Sequence, residues 1–182
     1  NKFVLGKIEE QLKSGGLPYH YKTTGAGLEF ASTAAKAFDL AMVVRTNPYD
    51  RLHLDMLQSI VGVSHCKSLE QVVENISDAF LKEVVQQASL LKDDGSNMYQ
   101  TVKSILNTLK ASNASEFKST DEVLAVFDEF ELLKHHWSSY AKSVTNYSLS
   151  AFRNAMSLGQ TSVTSSDGEG VTLSTVHTMK GQ

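Results

Sequence analysis

The chain has 182 residues, is 41% hydrophobic and 20% charged, and carries a formal net charge of −3. That composition excludes wholesale disorder and supports a sizeable core, while no apolar run approaches the roughly 18 residues that span a bilayer. The acidic balance, with a pI near 6.1, excludes a binder held on nucleic acid by charge alone.

Only 2 prolines occur, where about nine would be usual, so the chain reads as mostly helical. Phe3, Val4, Ile8 and Leu12 recur at helical spacing, and Gly15-Gly16 ends that helix. Residues 18–23, built around Tyr19-His20-Tyr21, read as a β-strand. From Gly27 the pattern turns helical, with Leu28, Ala31, Ala35, Phe38 and Met42 as its apolar stripe. Asn47-Pro48 restarts a helix with Asn47 as N-cap, Asp50 in the first turn, and Leu52, Met56, Leu57 and Ile60 as the buried face. Val61-Gly62-Val63-Ser64 breaks it.

Ser68 and Gln71 form a capping box ahead of one helix running through Val72, Val73, Ile76, Phe80, Val84 and Val85. Asp93-Asp94-Gly95-Ser96 is a turn, and Tyr99, Val102, Ile105, Leu106 and Leu109 mark the next helix. Ala111 to Ser119 is a loop; Ser119 and Glu122 form a second capping box. The longest amphipathic segment follows, its apolar face being Val123, Phe127, Phe130, Leu133, Trp137, Tyr140 and Val144. A shorter helix runs from Leu149 to about Leu158, closed by Gly159. Gln160 to Gly170 reads as a mobile loop, and Val171 to Val176 as a strand.

Two lone strands thus flank a long run of helix. An isolated strand pair is marginal in water, so both are expected to belong to one sheet with further members. The helical run is then an insertion into that sheet. The ends of the chain, Asn1-Lys2-Phe3 and Lys180-Gly181-Gln182, read as those of a piece of something larger.

Chemistry is sparse along most of the chain. The single cysteine, Cys66, leaves no internal disulfide and fits a reducing, cytoplasmic compartment. No phosphate-loop motif occurs, and Gly25-Ala26-Gly27 has Phe30 where a dinucleotide fingerprint needs its third glycine, so it reads as a strand-to-helix turn. The six histidines, His20, His53, His65, His135, His136 and His177, show no metal-ligand spacing. His65-Cys66 reads as a loop before the Ser68 cap, His135-His136 as one edge of the long helix, and Asp128, Glu129 and Glu131 as a solvated face. No enzyme active site is complete. The closing segment is the informative one. Its hydroxyl, imidazole and ammonium groups can each hydrogen-bond a phosphate oxygen, and glycine lets a backbone come close. A buried strand with a polar exit fits the same spacing.

Val171-Thr172-Leu173-Ser174-Thr175-Val176-His177-Thr178-Met179-Lys180-Gly181-Gln182 resembles motif V of the superfamily 1 DNA helicases of the UvrD/Rep/PcrA type, with Thr175, His177, Lys180 and Gly181 on the fixed positions. The front of the chain resembles the same family: Ile8 to Leu12, then Gly16-Leu17-Pro18-Tyr19, Gly25, a long helix from Gly27 to Val44, and an Asn47-Pro48-Tyr49-Asp50 joint. The likeness runs from about residue 2 to the C-terminus.

The resemblance implies a mostly α chain. Residues 1–26 are then a helix and strand of an incomplete RecA-like α/β domain (2A). Residues 27–160 are its helical 2B insertion, and residues 161–182 are the loop and motif V strand of 2A. It implies a piece of an ATP-dependent 3′–5′ DNA helicase, not competent for ATP hydrolysis alone, that contributes DNA contacts and regulates unwinding. Thr175, His177 and Lys180 would bind single-stranded DNA phosphates, and Gly181 would link them to the nucleotide. ATP and Mg²⁺ belong to the intact parent; no cofactor is expected in this piece. Single-stranded DNA, duplex DNA and the rest of the helicase chain are the partners, with no membrane. The family's duplex-contacting Gly-Ile-Gly turn falls near Gly62-Val63-Ser64, where Ser64 replaces the second glycine and Lys67 is the nearest cation. Gly62 serves there as a helix C-cap or as a DNA contact. Two alternatives share these features: the helicase part of a break-processing helicase–nuclease, and a helical protein-interaction module that would expose Phe, Trp or Met on the long helix.

Overall fold

The computed structural model describes residues 11–12, 14–16, 19–21, 28–111, 120–158 and 171–173. Its elements are β1 (Tyr19–Tyr21), α1 (Thr33–Thr46), α2 (Arg51–Val61), α3 (Leu69–Asn75), α4 (Ala79–Ser89), α5 (Met98–Ala111), α6 (Thr120–Ser143), α7 (Leu149–Ser157) and β2 (Val171–Leu173). The chain is mostly α. Strands β1 and β2 pair in parallel, Tyr19 opposite Val171 and Tyr21 opposite Leu173. A parallel pair needs a long crossover, and here the crossover contains helices α1 to α7. Residues 11, 12 and 14 are helical ahead of β1, and Gly16 follows at φ +64°, a conformation that ends a helix. The remainder of the expected first helix, the strand flanks at 18, 22–23 and 174–176, and the loop at 160–170 lie outside the described residues.

The first long helix begins later than the apolar pattern implies. Residues 28–31 lie before it, and Ser32 is the N-cap, its hydroxyl accepting from the Ala35 N–H at 3.2 Å. Leu28 instead bonds through its N–H to the Met156 carbonyl at the end of α7 (3.2 Å). A second acceptor comes from far along the chain. The Glu129 carboxylate, on α6, takes the N–H groups of Ala31 (2.5 Å) and Ser32 (3.1 Å). An anion is favourable at a helix N-terminus because the first amides point outward unpaired. Glu129 therefore belongs to the entry of α1, not to the solvated face expected of it. Nor does α1 carry a one-sided stripe. Ala37, Phe38, Ala41 and Met42 are fully enclosed and Ala34, Leu40 and Val44 are buried as well, the pattern of a central helix. It packs against α2, α4, α6 and α7.

Asn47 is the C-cap of α1, and Asp50 caps α2 instead, its carboxylate accepting from the His53 N–H at 3.1 Å. That places Leu54, Leu57, Gln58 and Val61 inward, while Leu52 and Met56 are 67% and 46% exposed. Of the expected face, Leu57 is buried and Ile60 packs at the core's edge, and the rest of the inward face is rotated to Leu54, Gln58 and Val61. The Ser68 hydroxyl does cap α3 through the Gln71 N–H (3.4 Å), but the Gln71 amide oxygen returns to Lys67 N–H (2.7 Å), one residue before the position a capping box uses. The single helix expected beyond it is two. Ile76 ends α3, and Asp78 caps α4 by accepting from the Leu81 N–H at 2.8 Å.

Helix α6 buries Val126, Phe130, Leu133, Trp137 and Tyr140, and Val123, Phe127 and Val144 pack at the edge of the core. Only Val126 falls outside the expected stripe. The Ser119 half of its capping box lies outside the described residues, as does Gly159. Tyr99, expected inside, is 56% exposed with the Lys134 ammonium 5.6 Å from its ring centre. Phe38 meets Phe130 edge to face at 5.5 Å, and Trp137, Tyr140 and Phe152 form a second aromatic group. No described helix is long and apolar enough to cross a membrane.

Candidate nucleic-acid interface

Gly62 closes α2 in the left-handed region (φ 71°, ψ 30°), its N–H and that of Val63 both returning to the Gln58 carbonyl. Glycine takes this conformation without strain. A Cβ at Gly62 would meet nothing within 4 Å, so the turn presents an open backbone surface. Ser64 and His65 follow, both exposed, and His65 itself sits at φ 62°. The C-cap role of Gly62 is thus visible, and its outward face is free for a second role.

The loop from Gly62 to Lys67 is held by side chains of the flanking helices. Gln58, buried on α2, accepts from the Cys66 N–H at 2.7 Å and donates to Asp55 at 3.2 Å. From α3, Gln71 accepts from the Lys67 N–H. The exposed Arg51, at the opposite end of α2, donates from Nη1 to the Lys67 carbonyl at 2.9 Å. Two cations, Arg51 and Lys67, therefore stand together at the Lys67 end of the loop, where the sequence showed one. The Arg51 contribution was hidden because it comes from residues 16 positions apart. Cys66 is buried beneath the loop with its thiol toward the Ser64 carbonyl (3.6 Å), so His65 and Cys66 face opposite ways and form no nucleophile–base pair.

Strand β2 leads directly to Thr175, His177, Lys180 and Gly181, which lie outside the described residues. Of the expected contact residues, Gly62 and Ser64 share one turn. Nearby acids are engaged locally. The His53 backbone N–H, aided by its ring Nδ1 at 2.7 Å, holds the Asp50 carboxyl below the usual carboxylate range. Glu70 is lowered by the Ser68 hydroxyl. No group of three or more His, Cys, Asp or Glu able to hold a metal occurs among the described residues.

A second polar cluster lies where the chain enters and leaves the helical body. Asp39 on α1 stands 3.6 Å from the Arg153 guanidinium on α7. It also walls an apolar groove of about 450 Å³ with Leu28, Phe30, Leu40, Met56 and Ile60. Asp39 Oδ1 and Arg153 Nε are buried without a hydrogen-bond partner. Burial pushes the Asp39 carboxyl above its ordinary range; Arg153 and, more weakly, His53 oppose that shift. In the window between the ordinary carboxylate value and the raised one, the folded chain binds the extra proton, so stability falls as pH rises. Asp39→Asn is expected to remove that downward slope. Urea unfolding from pH 3.5 to 7 checks this, and parallel curves for the two proteins would show that Asp39 does not titrate there.

No family model matches the chain, and no curated protein or solved structure matches it.

Proposed function

We propose that the chain is part of an ATP-dependent, UvrD-like 3′–5′ DNA helicase: the helical 2B insertion together with the adjoining strands of the second RecA-like domain. The parallel pairing of β1 with β2 carries the reading. It makes the helical body an excursion from a sheet, and β2 is the strand that runs into Thr175, His177, Lys180 and Gly181. Thr175, His177 and Lys180 hydrogen-bond the phosphates of a single strand, and Gly181 passes that contact toward the nucleotide. The Gly62–Ser64 turn offers open backbone to duplex DNA. ATP and Mg²⁺ act in the intact enzyme, through groups this chain does not supply, and a helicase–nuclease parent shares every one of these features. The interaction-module alternative asks for exposed Phe, Trp or Met on the long helix, where Phe130 and Trp137 are buried and Phe127 is half-buried.

The chain alone is expected to hydrolyse no ATP, with or without DNA. It should bind a fluorescent single-stranded oligonucleotide weakly, with affinity falling steeply as salt rises. His177→Ala combined with Lys180→Ala should weaken that binding at least tenfold and leave the urea midpoint unchanged. Anisotropy titrations between 50 and 200 mM salt, concentrations on the order of those where phosphate contacts are lost, check both. Saturable ATPase activity, or binding indifferent to the double substitution, would refute the assignment.

A further inference from the structure

We infer that Arg51 is the positioning residue of the Gly62–Lys67 loop and that Arg51 and Lys67 together form its phosphate-facing cation pair; the second half of this rests on the DNA reading above. Three backbone groups near the end of the loop are taken by side chains from outside it. The Cys66 N–H goes to Gln58, the Lys67 N–H to Gln71, and the Lys67 carbonyl to Arg51. Gln58 is buried, whereas Arg51 is exposed. Gln71 is exposed as well, so Arg51 is the one charged clamp that a ligand can reach. A guanidinium presents five donors in a planar fork, so one Nη can hold the Lys67 carbonyl while the other edge remains available to a phosphate oxygen. Lys67 is exposed next to it. Of the acids on the flanking helices, Asp50 and Glu70 are turned onto His53 and Ser68, and Asp55 accepts from Gln58.

The loop carries its own reporter. Cys66 is the only cysteine of the chain and is 7% exposed beneath the loop. Its thiol therefore reacts with a disulfide reagent such as dithionitrobenzoate only when the loop opens. Arg51→Ala is expected to speed labelling about fivefold, the ratio set by losing one ordinary hydrogen bond. Arg51→Lys, which keeps a donor and the charge, should restore much of the protection. Titration of a short duplex against salt reads the cation role. Arg51→Ala and Lys67→Gln should each lower the slope of log affinity against log salt by about 0.9, one phosphate's share.

Wild-type labelling kinetics in Arg51→Ala would overturn the clamp. Faster labelling with an unchanged salt slope, in a chain that binds duplex, would overturn the cation pair. A wild-type chain that binds no duplex at all would remove the DNA reading and the pair with it, while the labelling rates still decide the clamp. Arg51→Ala is expected to lose no more than about 1 kcal/mol of urea stability, that same hydrogen bond, and labelling much faster than global unfolding separates loop opening from unfolding.

Discussion

Gly95→Ala is expected to cost about 3 kcal/mol or more of stability, combining a left-handed backbone penalty with overpacking. Gly95 sits at φ +64° in the turn between α4 and α5, a conformation L side chains rarely adopt. A Cβ there would stand closer than 3.0 Å to three atoms of the Trp137 ring. The ring cannot retreat. It is 8% exposed, meets Phe152 edge to face at 5.0 Å and Tyr147 at 5.9 Å, and lies beside Tyr140. Nor can the turn lift away easily. The Gly95 N–H returns to the Lys92 carbonyl, Asn97 takes the Lys92 N–H, and the Asp93 carbonyl accepts from Leu149 at the start of α7. Asp93 also pairs with Arg45 at the end of α1 (3.0 Å). The turn therefore couples α1, α5, α6 and α7. Urea unfolding followed by tryptophan fluorescence measures the effect at its source, since Trp137 is the only tryptophan. A loss below about 1 kcal/mol, no more than the usual cost of an exposed strained turn, would mean the ring and the turn are not in contact in solution.

Phe38→Ala should cost about 3–5 kcal/mol, the range for truncating a fully buried aromatic. Phe38 is 0% exposed on the helix around which α2, α4, α6 and α7 assemble, and it meets Phe130 of α6 edge to face. Helices α2, α4 and α7 around it are each held by a side-chain N-cap, so the cavity left behind cannot collapse cheaply. Set against the 5–15 kcal/mol typical of a domain, this removes between about a fifth and all of the stability. Phe38→Leu, which keeps most of the volume, should lose about 1.5 kcal/mol or less. Chemical denaturation of both variants tests the pair, and equal losses would show that the site does not depend on volume. The two substitutions probe different aromatic groups, so their effects should add to within about 0.5 kcal/mol.

The residues differ in how much of their role could be read along the chain. The stripe of α6 was legible because four of its residues, Phe130, Leu133, Trp137 and Tyr140, repeat at helical spacing and face one core. The Ser68 cap was legible because its partner is three residues away. Asp50 was misread as a first-turn residue behind Asn47. Both are good caps, and the Tyr49 N–H even turns back to the Asn47 side chain at 3.3 Å, but Asp50 itself is non-helical (φ −76°, ψ 87°) and the helical bonding begins with the Leu54 N–H on the Asp50 carbonyl. The break at Ile76 to Asp78 was hidden because the apolar period carries across it. Of the candidate contact residues, the Gly62 turn could be located from its glycine, whereas Arg51 could not. Its partner is the Lys67 carbonyl, and backbone carbonyls carry no sequence signal.

Helical content, the principal turns and the inward stripe of α6 follow from chemistry within a few residues: side-chain period, hydroxyl or carboxylate caps, and glycine at positive φ. Contacts between distant segments needed the assembled molecule. Packing buried most of α1, turned Leu52 and Met56 outward, brought the Glu129 carboxylate to the amides of Ala31 and Ser32, and set β1 beside β2. The reason is physical. A helix can form from local preference, but which of its faces is buried, and which far-off donor meets which acceptor, depends on the shape of everything packed around it.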